Sequence, residues 1–333
     1  MKATRDAYGE VLVQLGKANP DIVVLDSDLS SSTKTGVFAR AFPDRFFNAG
    51  IAEANMMGMA AGLARSGKIP FASTFAIFAT GRAYDQIRQS IAYPRFNVKI
   101  VASHGGLTVG PDGASHQALE DIALMRVIPG MTVIVPCDAK ETELAVKAAA
   151  EYHGPVYIRL GREKVLPVLT SEDKFEIGKG LVLWPKVKSG ESFDSICKQL
   201  RQKRPGKPAF DVCFIACGVT VQLALEAARA LETEGISCLV VDMASVKPID
   251  EDLLIKAAQN STALLTCEEH SVVGGLGSAV CEVVSGPHPI RVIRLGVNDQ
   301  FGQSGSAGEL LEAYGLTTRR FCDEARKAVK MQY

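Results

Sequence analysis

Residues 46–64 read FFNAGIAEANMMGMAAGLA, in which a short aromatic run is followed by small residues that surround one carboxylate, Glu53. The pattern predicts a strand that ends at Asn48 and a helix over residues 51–65. Ligands gather where the strands of an α/β sheet end, and a buried carboxylate needs a hydrogen-bond partner or a proton. A carboxylate in a first helical turn also stabilises the helix dipole, so Glu53 alone leaves both interpretations open.

The same alternation extends over the first half of the chain. Short runs rich in valine and isoleucine, which predict buried strands, occupy residues 22–26, 98–103, 131–136 and 156–160. Helical periodicity occurs between them at residues 82–92 and 139–152, with Asp138 as a predicted N-cap and Gly154 as a predicted stop. Stacked β-α units with a mostly parallel sheet are therefore expected, in a first domain over residues 1–165.

This pattern breaks down after the first domain. Residues 166–209 are rich in proline, lysine and mixed polar residues, which predicts a linker with a surface excursion. A second alternation follows, with predicted strands at residues 211–217, 237–243, 263–269 and 290–296 and predicted helices at residues 219–231, 250–258 and 277–284. The sequence therefore predicts an α/β fold class with two doubly wound domains and mostly parallel sheets, the second domain over residues 210–333.

Charge and composition argue against several classes of function. The 333 residues contain 37 lysines and arginines and 37 aspartates and glutamates, and the one basic stretch, residues 198–207, favours a solvated loop. Nucleic acid and membrane are therefore not expected as partners. Charges near the N-terminus interrupt any signal core and no long uncharged run follows, so a cytoplasmic protein is predicted. The eight cysteines are scattered and should be small buried hydrophobes.

An aromatic segment follows the first predicted helix. Residues 73–93 read STFAIFATGRAYDQIRQSIAY, with Phe75 and Phe78 at a strand-to-helix transition. A flat heteroaromatic ring can stack on such side chains, although two phenylalanines are also usual in a core. The segment therefore supports a ring-binding site only in company with other residues.

A glycine-rich loop supplies such residues. Residues 103–121 read SHGGLTVGPDGASHQALED and place His104, Asp112 and His116 before a helix predicted to start near Gln117. Three titratable groups on one loop favour a hydroxylated, anionic ligand. A metal site is the weaker interpretation, because the two histidines lack the short spacing of helical ligand pairs. No metal ligand is therefore predicted in this chain.

Taken together, these motifs resemble a known family. Glu53 within NAGIAEANMMGMAAGLA, the STF segment, and SHGG followed by PDGASHQALEDIALMRVIPGMTV are similar to the pyrimidine-binding domain of the transketolase family. CEEHSVVGGLGSAVCEVV and RLGVNDQFGQSGSAGELLEAYGLT resemble the C-terminal domain of that family. The resemblance covers nearly the whole chain apart from the predicted linker.

The resemblance implies a thiamine diphosphate cofactor. Glu53 would be catalytic, because the matching glutamate hydrogen-bonds N1′ of the aminopyrimidine and promotes the imino tautomer that removes the thiazolium proton. Phe75 and Phe78 would stack on and border the pyrimidine ring. Asp28 would lie near the cofactor at a subunit junction.

The resemblance also implies a phosphosugar substrate. His104, also assigned as catalytic, Asp112 and His116 match positions that contact sugar hydroxyls or the phosphate. Arg5, Ser32 and Arg162 match positions that bind the sugar phosphate. On local sequence alone, a solvated Arg5 and an ion-paired Arg162 are equally acceptable interpretations.

Two departures from the family pattern matter. The chain contains no GDG motif, which in complete transketolases belongs to the domain that holds Mg²⁺ and the diphosphate. A partner chain, the N-terminal diphosphate-binding subunit of a split transketolase, is therefore expected to supply these ligands in an α2β2 heterotetramer. The second departure is Gly81, where many family members carry a third aromatic residue beside the cofactor.

The predicted function is a transketolase subunit that moves a two-carbon ketol unit between phosphosugars. The main alternative is the β subunit of a 2-oxo acid dehydrogenase E1 component, which shares the domain pair and the split arrangement. GGLGSA at residues 274–279 does not match the dinucleotide-binding pattern, which makes a dehydrogenase a weak alternative. A non-catalytic subunit would not need Glu53, both phenylalanines and both histidines together.

Overall fold

The computed structural model describes residues 1–187 and 191–330, and it confirms the predicted α/β fold class. Two mostly parallel sheets follow one another along the chain, and helices connect their strands. Parts of the predicted linker and of the predicted second domain, at residues 188–190 and 331–333, lie outside the described residues.

The strands alternate with the helices in chain order. The strands are β1 (Lys2–Ala3), β2 (Ile22–Asp26), β3 (Phe46–Asn48), β4 (Ile69–Phe75), β5 (Lys99–Ser103), β6 (Thr132–Ile134), β7 (Val156–Arg159), β8 (Lys164–Val165), β9 (Leu181–Trp184), β10 (Phe210–Ala216), β11 (Cys238–Asp242), β12 (Ser245–Lys247), β13 (Ser261–Ser271) and β14 (Val292–Val297).

The α-helices range from single turns to helices of four turns. They are α1 (Thr4–Ala18), α2 (Ser30–Thr33), α3 (Gly36–Ala41), α4 (Glu53–Arg65), α5 (Tyr84–Gln86), α6 (Asp121–Arg126), α7 (Ala139–Glu151), α8 (Phe193–Lys203), α9 (Thr220–Thr233), α10 (Glu251–Asn260), α11 (Leu276–Val284), α12 (Ala307–Ala313) and α13 (Thr318–Lys330). Short 3₁₀ turns occupy Pro43–Arg45 and Leu107–Asp112, and π-helical turns occupy Phe78–Arg82 and Ile87–Ala92. Within these described parts of the chain, no helix is both long and apolar enough to span a bilayer.

The first sheet has seven strands in the order β12-β6-β7-β5-β4-β2-β3. All neighbours are parallel except β12, which comes from the second half of the chain and pairs antiparallel with β6. Every residue of β2 and β5 is buried, as expected for strands covered by helices on both faces. Because the strands are parallel, their carboxyl ends share one edge of the sheet.

The second sheet has the order β14-β13-β10-β11-β9. Its pairings are parallel apart from that of β9, which closes one edge antiparallel to β11. The predicted strands of this half correspond to β10, β11, β13 and β14, and the predicted helices to α9, α10 and α11. Seven of the eight cysteines are buried, in agreement with their prediction as small hydrophobes.

The segment predicted as a linker contains regular structure. β9 adds a strand to the second sheet, and α8 is capped by Ser192, whose hydroxyl accepts the N–H of Ser195. Ile196 and Cys197 are the buried face of α8. In this segment the few apolar residues are separated by many lysines and arginines. The composition therefore indicated a loop, although a helix and a strand are present. The domain boundaries at residues 165 and 210 stay a prediction.

Two helices of the first half differ in detail from their predictions. The segment predicted as a helix over residues 82–92 is helical, but it consists of the short α5 between the π-helical turns at Phe78–Arg82 and Ile87–Ala92. The helix predicted near Gln117 starts at Asp121, because Ala118 forms a β-bridge with Gly105 and its carbonyl accepts the N–H of Gly106.

A buried arginine joins the two halves of the chain below the glycine-rich loop. Arg159 at the end of β7 donates from Nε to Asp121 Oδ2 at 2.8 Å, and from Nη2 to the carbonyls of Ala118 and Glu269. Glu269, on β13 of the second sheet, accepts the N–H of Thr108 at 2.6 Å. The second half of the chain therefore fixes the position of the loop that carries the predicted histidines.

Candidate active site

The predicted site residues, apart from Arg5, follow the carboxyl ends of neighbouring parallel strands. They are Asp28 and Ser32 after β2, Glu53 after β3, Phe75 and Phe78 at and beyond the end of β4, His104 after β5 with Asp112 and His116 on the same loop, and Arg162 after β7. Arg5 lies in α1, before β2, and contacts Ser32 and His104. Such an edge is where open α/β sheets bind ligands. The structure therefore places them along one edge, where direct contacts join several of them.

Glu53 is the buried carboxylate of this edge. It begins α4 and is 4% exposed, and its Oε1 accepts a hydrogen bond from Arg82 Nη1 at 3.1 Å. The Arg82 guanidinium also lies 4.0 Å from the centre of the Phe78 ring. The sequence reasoning missed Arg82, although it is the first cation after Phe78 within the aromatic segment.

Four rings form a continuous aromatic surface beside this carboxylate. Phe75 and Phe78 stack with ring centres 5.6 Å apart, and the His104 ring lies 3.8 Å from Phe75. His116 meets the edge of Phe78 at 5.4 Å. Phe75 is buried and covered by His104, so Phe78, which is only partly buried, offers the more accessible face.

His104 is a neutral imidazole. It follows β5 with a φ of 61°, which turns the side chain back over Phe75, and it is 2% exposed. Its burial, and then the positive charges of Arg5 and Arg162, lower the pKa of His104 to about 3. Arg5 Nη1 lies 3.5 Å from Nε2, and because a guanidinium can only donate, Nε2 accepts. Nδ1 then carries the proton and donates to Ser103 Oγ at 2.9 Å.

Two arginines converge near this imidazole. Arg5 Nη1 donates to the carbonyl of Ser32 at 3.0 Å, while its buried Nε has no partner among the residues that the structure describes. Arg162 Nη1 donates to the carbonyl of Val109 at 2.6 Å and to Asp112 Oδ1 at 3.3 Å. Burial lowers the pKa of Arg5, and the charge of Arg162 acts in the same direction. A pair of close cations with an unsatisfied buried donor is suited to binding an anion.

Asp28 lies on the exposed rim of the site. Its φ is 61°, and it exchanges hydrogen bonds with Asn48, whose Nδ2 donates to Asp28 Oδ1 and whose Oδ1 accepts the N–H of Asp28. Asn48 Oδ1 also accepts the N–H of Gly50, just before the start of α4. Asn48 therefore links the backbone at Asp28 to the segment just before α4, the helix that begins at Glu53.

The donor set fits an organic cofactor better than a metal ion. A buried carboxylate that already binds a planar cation, next to an aromatic face, has the chemistry to hold a planar nitrogen heterocycle. In the part of the chain that the structure describes, three metal-ligating groups within 4.8 Å of one another occur at Cys137, Glu141 and Asp242. None of these three is a predicted site residue.

The fold and this edge define the class of protein: an α/β domain pair that presents a buried carboxylate, an aromatic face and two arginines together. Comparison with known families identifies the family to which the chain belongs. The model of the transketolase pyrimidine-binding domain matches residues 1–167, and the model of the transketolase C-terminal domain matches residues 201–320. The chain belongs to the transketolase family and corresponds to the half that contains these two domains.

Similar proteins support the same assignment. A putative transketolase C-terminal section from Methanocaldococcus jannaschii is 48% identical over 333 residues, which cover 98% of this chain and 97% of that protein. A subunit of apulose-4-phosphate transketolase from Phocaeicola vulgatus is 36% identical over 332 residues, or 99% and 98% of the two chains. A solved structure described as a split gene transketolase, inactive beta4 tetramer, is 54% identical with a TM-score of 0.86 and full coverage of both chains. All three of these proteins are described as transketolases, which favours this family over the dehydrogenase alternative.

Proposed function

We propose that this chain is the pyrimidine-binding subunit of a thiamine-diphosphate-dependent transketolase. It would move a two-carbon ketol unit between phosphosugars once a partner subunit supplies the ligands for the diphosphate and Mg²⁺. The observation that carries the proposal is the buried Glu53 carboxylate, with a planar cation already bound to it and the Phe78 face beside it. Family membership supports the same cofactor.

Thiamine diphosphate, when bound, supplies the carbanion chemistry of ketol transfer. Glu53 would hold the ring proton at N1′, and its burial strengthens that hydrogen bond because little water competes for it. Phe78 would support one face of the ring. The contact between His104 Nε2 and Arg5 is long, at 3.5 Å, so a substrate hydroxyl would replace it and donate to Nε2, and the neutral imidazole would orient that hydroxyl without adding a charge near the cofactor.

The phosphosugar assignment depends on the two arginines. Arg5 offers an unpartnered Nε, and Arg162 is only partly engaged by Asp112 at 3.3 Å, so both can turn donors toward a phosphate. Asp112 and His116 lie on the same loop and would contact sugar hydroxyls. The relative named for apulose 4-phosphate supports a phosphorylated substrate.

The similar proteins support a requirement for a partner subunit. An N-terminal subunit would supply the Mg²⁺ and diphosphate ligands in an α2β2 assembly. The similar solved structure is described as an inactive tetramer of the beta chain, and the Phocaeicola vulgatus relative is named as one subunit of its enzyme. The carboxylate site around Glu53 would then be completed at the subunit contact, on the side where Asp28 is exposed.

The role of Glu53 can be tested by substitution. Glu53→Ala should abolish ketol transfer from xylulose 5-phosphate to ribose 5-phosphate in the mixture with the partner subunit, and size-exclusion chromatography should show unchanged assembly. Glu151→Ala, at an exposed carboxylate that ends α7, is the matched control and should keep full activity. An active Glu53→Ala complex would refute the assigned role.

A further inference from the structure

Arg82 makes two contacts that together define a position in the site. Its Nη1 donates to Glu53 Oε1 at 3.1 Å, and its guanidinium carbon lies 4.0 Å from the centre of the Phe78 ring. No other side-chain hydrogen bond of Arg82 is found within residues 1–187 and 191–330. The guanidinium is therefore held only by the carboxylate and by the aromatic face.

These two contacts are the ones that an aminopyrimidine ring would make under the proposed function. A guanidinium is planar, presents N–H donors in its own plane and stacks on aromatic rings. A thiamine ring likewise offers a planar face to Phe78 and a proton on a ring nitrogen to Glu53. One arginine side chain thus provides both complementary features.

We propose that Arg82 occupies the place of the aminopyrimidine ring until the cofactor binds, and that cofactor binding displaces it. The inference rests on the proposed function, which supplies the ring that Arg82 replaces. In the cofactor-free subunit Arg82 gives the buried Glu53 carboxylate a donor, since a buried charge without a partner is strongly unfavourable. It also covers the exposed part of Phe78.

The surroundings of Arg82 allow it to leave. Its side chain is 53% exposed, and it ends the π-helical turn that begins at Phe78. The preceding residue, Gly81, is exposed, and apart from its neighbours in the chain and its own helix no atom lies within 4 Å of the place where a Cβ would be. A side chain that leaves Glu53 therefore has open space and solvent to enter.

The contacts that hold Arg82 are weak enough to be displaced by a cofactor. A half-exposed ion pair and an exposed cation–π contact each contribute modestly, so removing the competitor should tighten cofactor binding about tenfold. The effect should appear in cofactor affinity, and not only in turnover.

The test measures thiamine diphosphate binding by isothermal titration calorimetry. The samples are mixtures of the partner subunit with the wild-type chain, Arg82→Ala, Arg82→Gln or Arg88→Ala, all in excess Mg²⁺. Arg88 is an exposed arginine of the same segment and serves as the matched control. We expect Kd to fall about tenfold for both Arg82 variants and to stay unchanged for Arg88→Ala.

A second measurement needs no cofactor. Thermal unfolding of the chain alone should show a lower Tm for Arg82→Ala, because Glu53 loses its donor, and this loss should disappear in the background of Glu53→Gln. Equal Tm losses in both backgrounds would overturn the inference, as would unchanged or weaker cofactor binding by the Arg82 variants. No cofactor binding by the wild-type mixture would instead overturn the proposed function, and this inference with it.

Discussion

Acid should destabilise the wild-type chain more than it destabilises the variant His104→Gln. Burial and the charges of Arg5 and Arg162 lower the pKa of His104 from 6.5 to about 3. This difference corresponds to about 5 kcal/mol against protonation of the ring in the native chain. In the unfolded chain the same ring is solvated and binds its proton as the pH falls below 6.5.

The sign of the pH dependence follows from the depressed pKa. The contribution of His104 to stability is fully present above pH 6.5 and is lost as the pH falls toward 3. Between these values the unfolded chain binds one proton more than the native chain, so the free energy of unfolding falls by about 1.4 kcal/mol for each pH unit. At about pH 5 the wild type should have lost about 2 kcal/mol through His104 alone.

Urea unfolding at about pH 7.5 and about pH 5 measures this loss for both proteins. Every other titrating group is shared, so the difference between the two losses reports on His104. We expect the wild type to lose about 2 kcal/mol more than His104→Gln between the two conditions. His153→Gln, at an exposed histidine, is the control. Equal losses in wild type and His104→Gln would refute the neutral, buried imidazole.

Three further predictions address substrate, charge and backbone. Arg162→Ala should raise KM for phosphorylated sugars more than for unphosphorylated ones in ketol-transfer kinetics, because it removes an anion donor. Burial, reinforced by the charge of Asp138, raises the pKa of Glu141 to about 7, so the stabilisation by its neutral form is lost as the pH rises from 4.5 through 7. Glu141→Gln should therefore be more stable than wild type at about pH 8, by up to about 3 kcal/mol in urea unfolding, and equal to it at about pH 4.5. Gly106→Ala should destabilise by about 3 kcal/mol, since φ is 83° there and a Cβ would lie within 2.5 Å of Glu269.

The last two of these predictions have specific controls. The control for Glu141→Gln is Glu143→Gln on the same helix, which removes the ion pair with Lys147 and should slightly destabilise the protein at about pH 8. If Glu141→Gln is less stable than wild type at that pH, the raised pKa of Glu141 is contradicted. For Gly106→Ala it is Gly58→Ala, at a helical position with open space, which should not destabilise. If Arg162→Ala raises KM equally for phosphorylated and unphosphorylated sugars, Arg162 does not bind the phosphate.

The sequence predicted the parts of the fold where local signals and burial agree. β2, β5 and β7 are short, buried strands of a parallel sheet, and each contains valine and isoleucine, as is typical of strands covered on both faces. The Asp138 cap of α7 was also recognisable, since its carboxylate accepts the N–H of Glu141. Because these features depend on neighbouring residues, they can be seen in one sequence.

Features set by distant contacts could not be predicted in this way. β12 joins the first sheet from the second half of the chain, and the strand-like form of Ala118 depends on its pairing with Gly105. The same is true of the site, where contacts between residues far apart in the sequence could not be predicted. The resemblance marked Glu53 and His104, but the contact of Arg82 with Glu53 spans 29 residues and carries no local signal.

The most direct test of the proposed function is ketol transfer from xylulose 5-phosphate to ribose 5-phosphate in the presence of thiamine diphosphate and Mg²⁺. The chain alone is compared with an equimolar mixture of the chain and an N-terminal subunit that contains the GDG motif. We predict activity in the mixture only. Activity of the chain alone would contradict the need for a partner, and an inactive mixture that still assembles would contradict transketolase activity on these sugars.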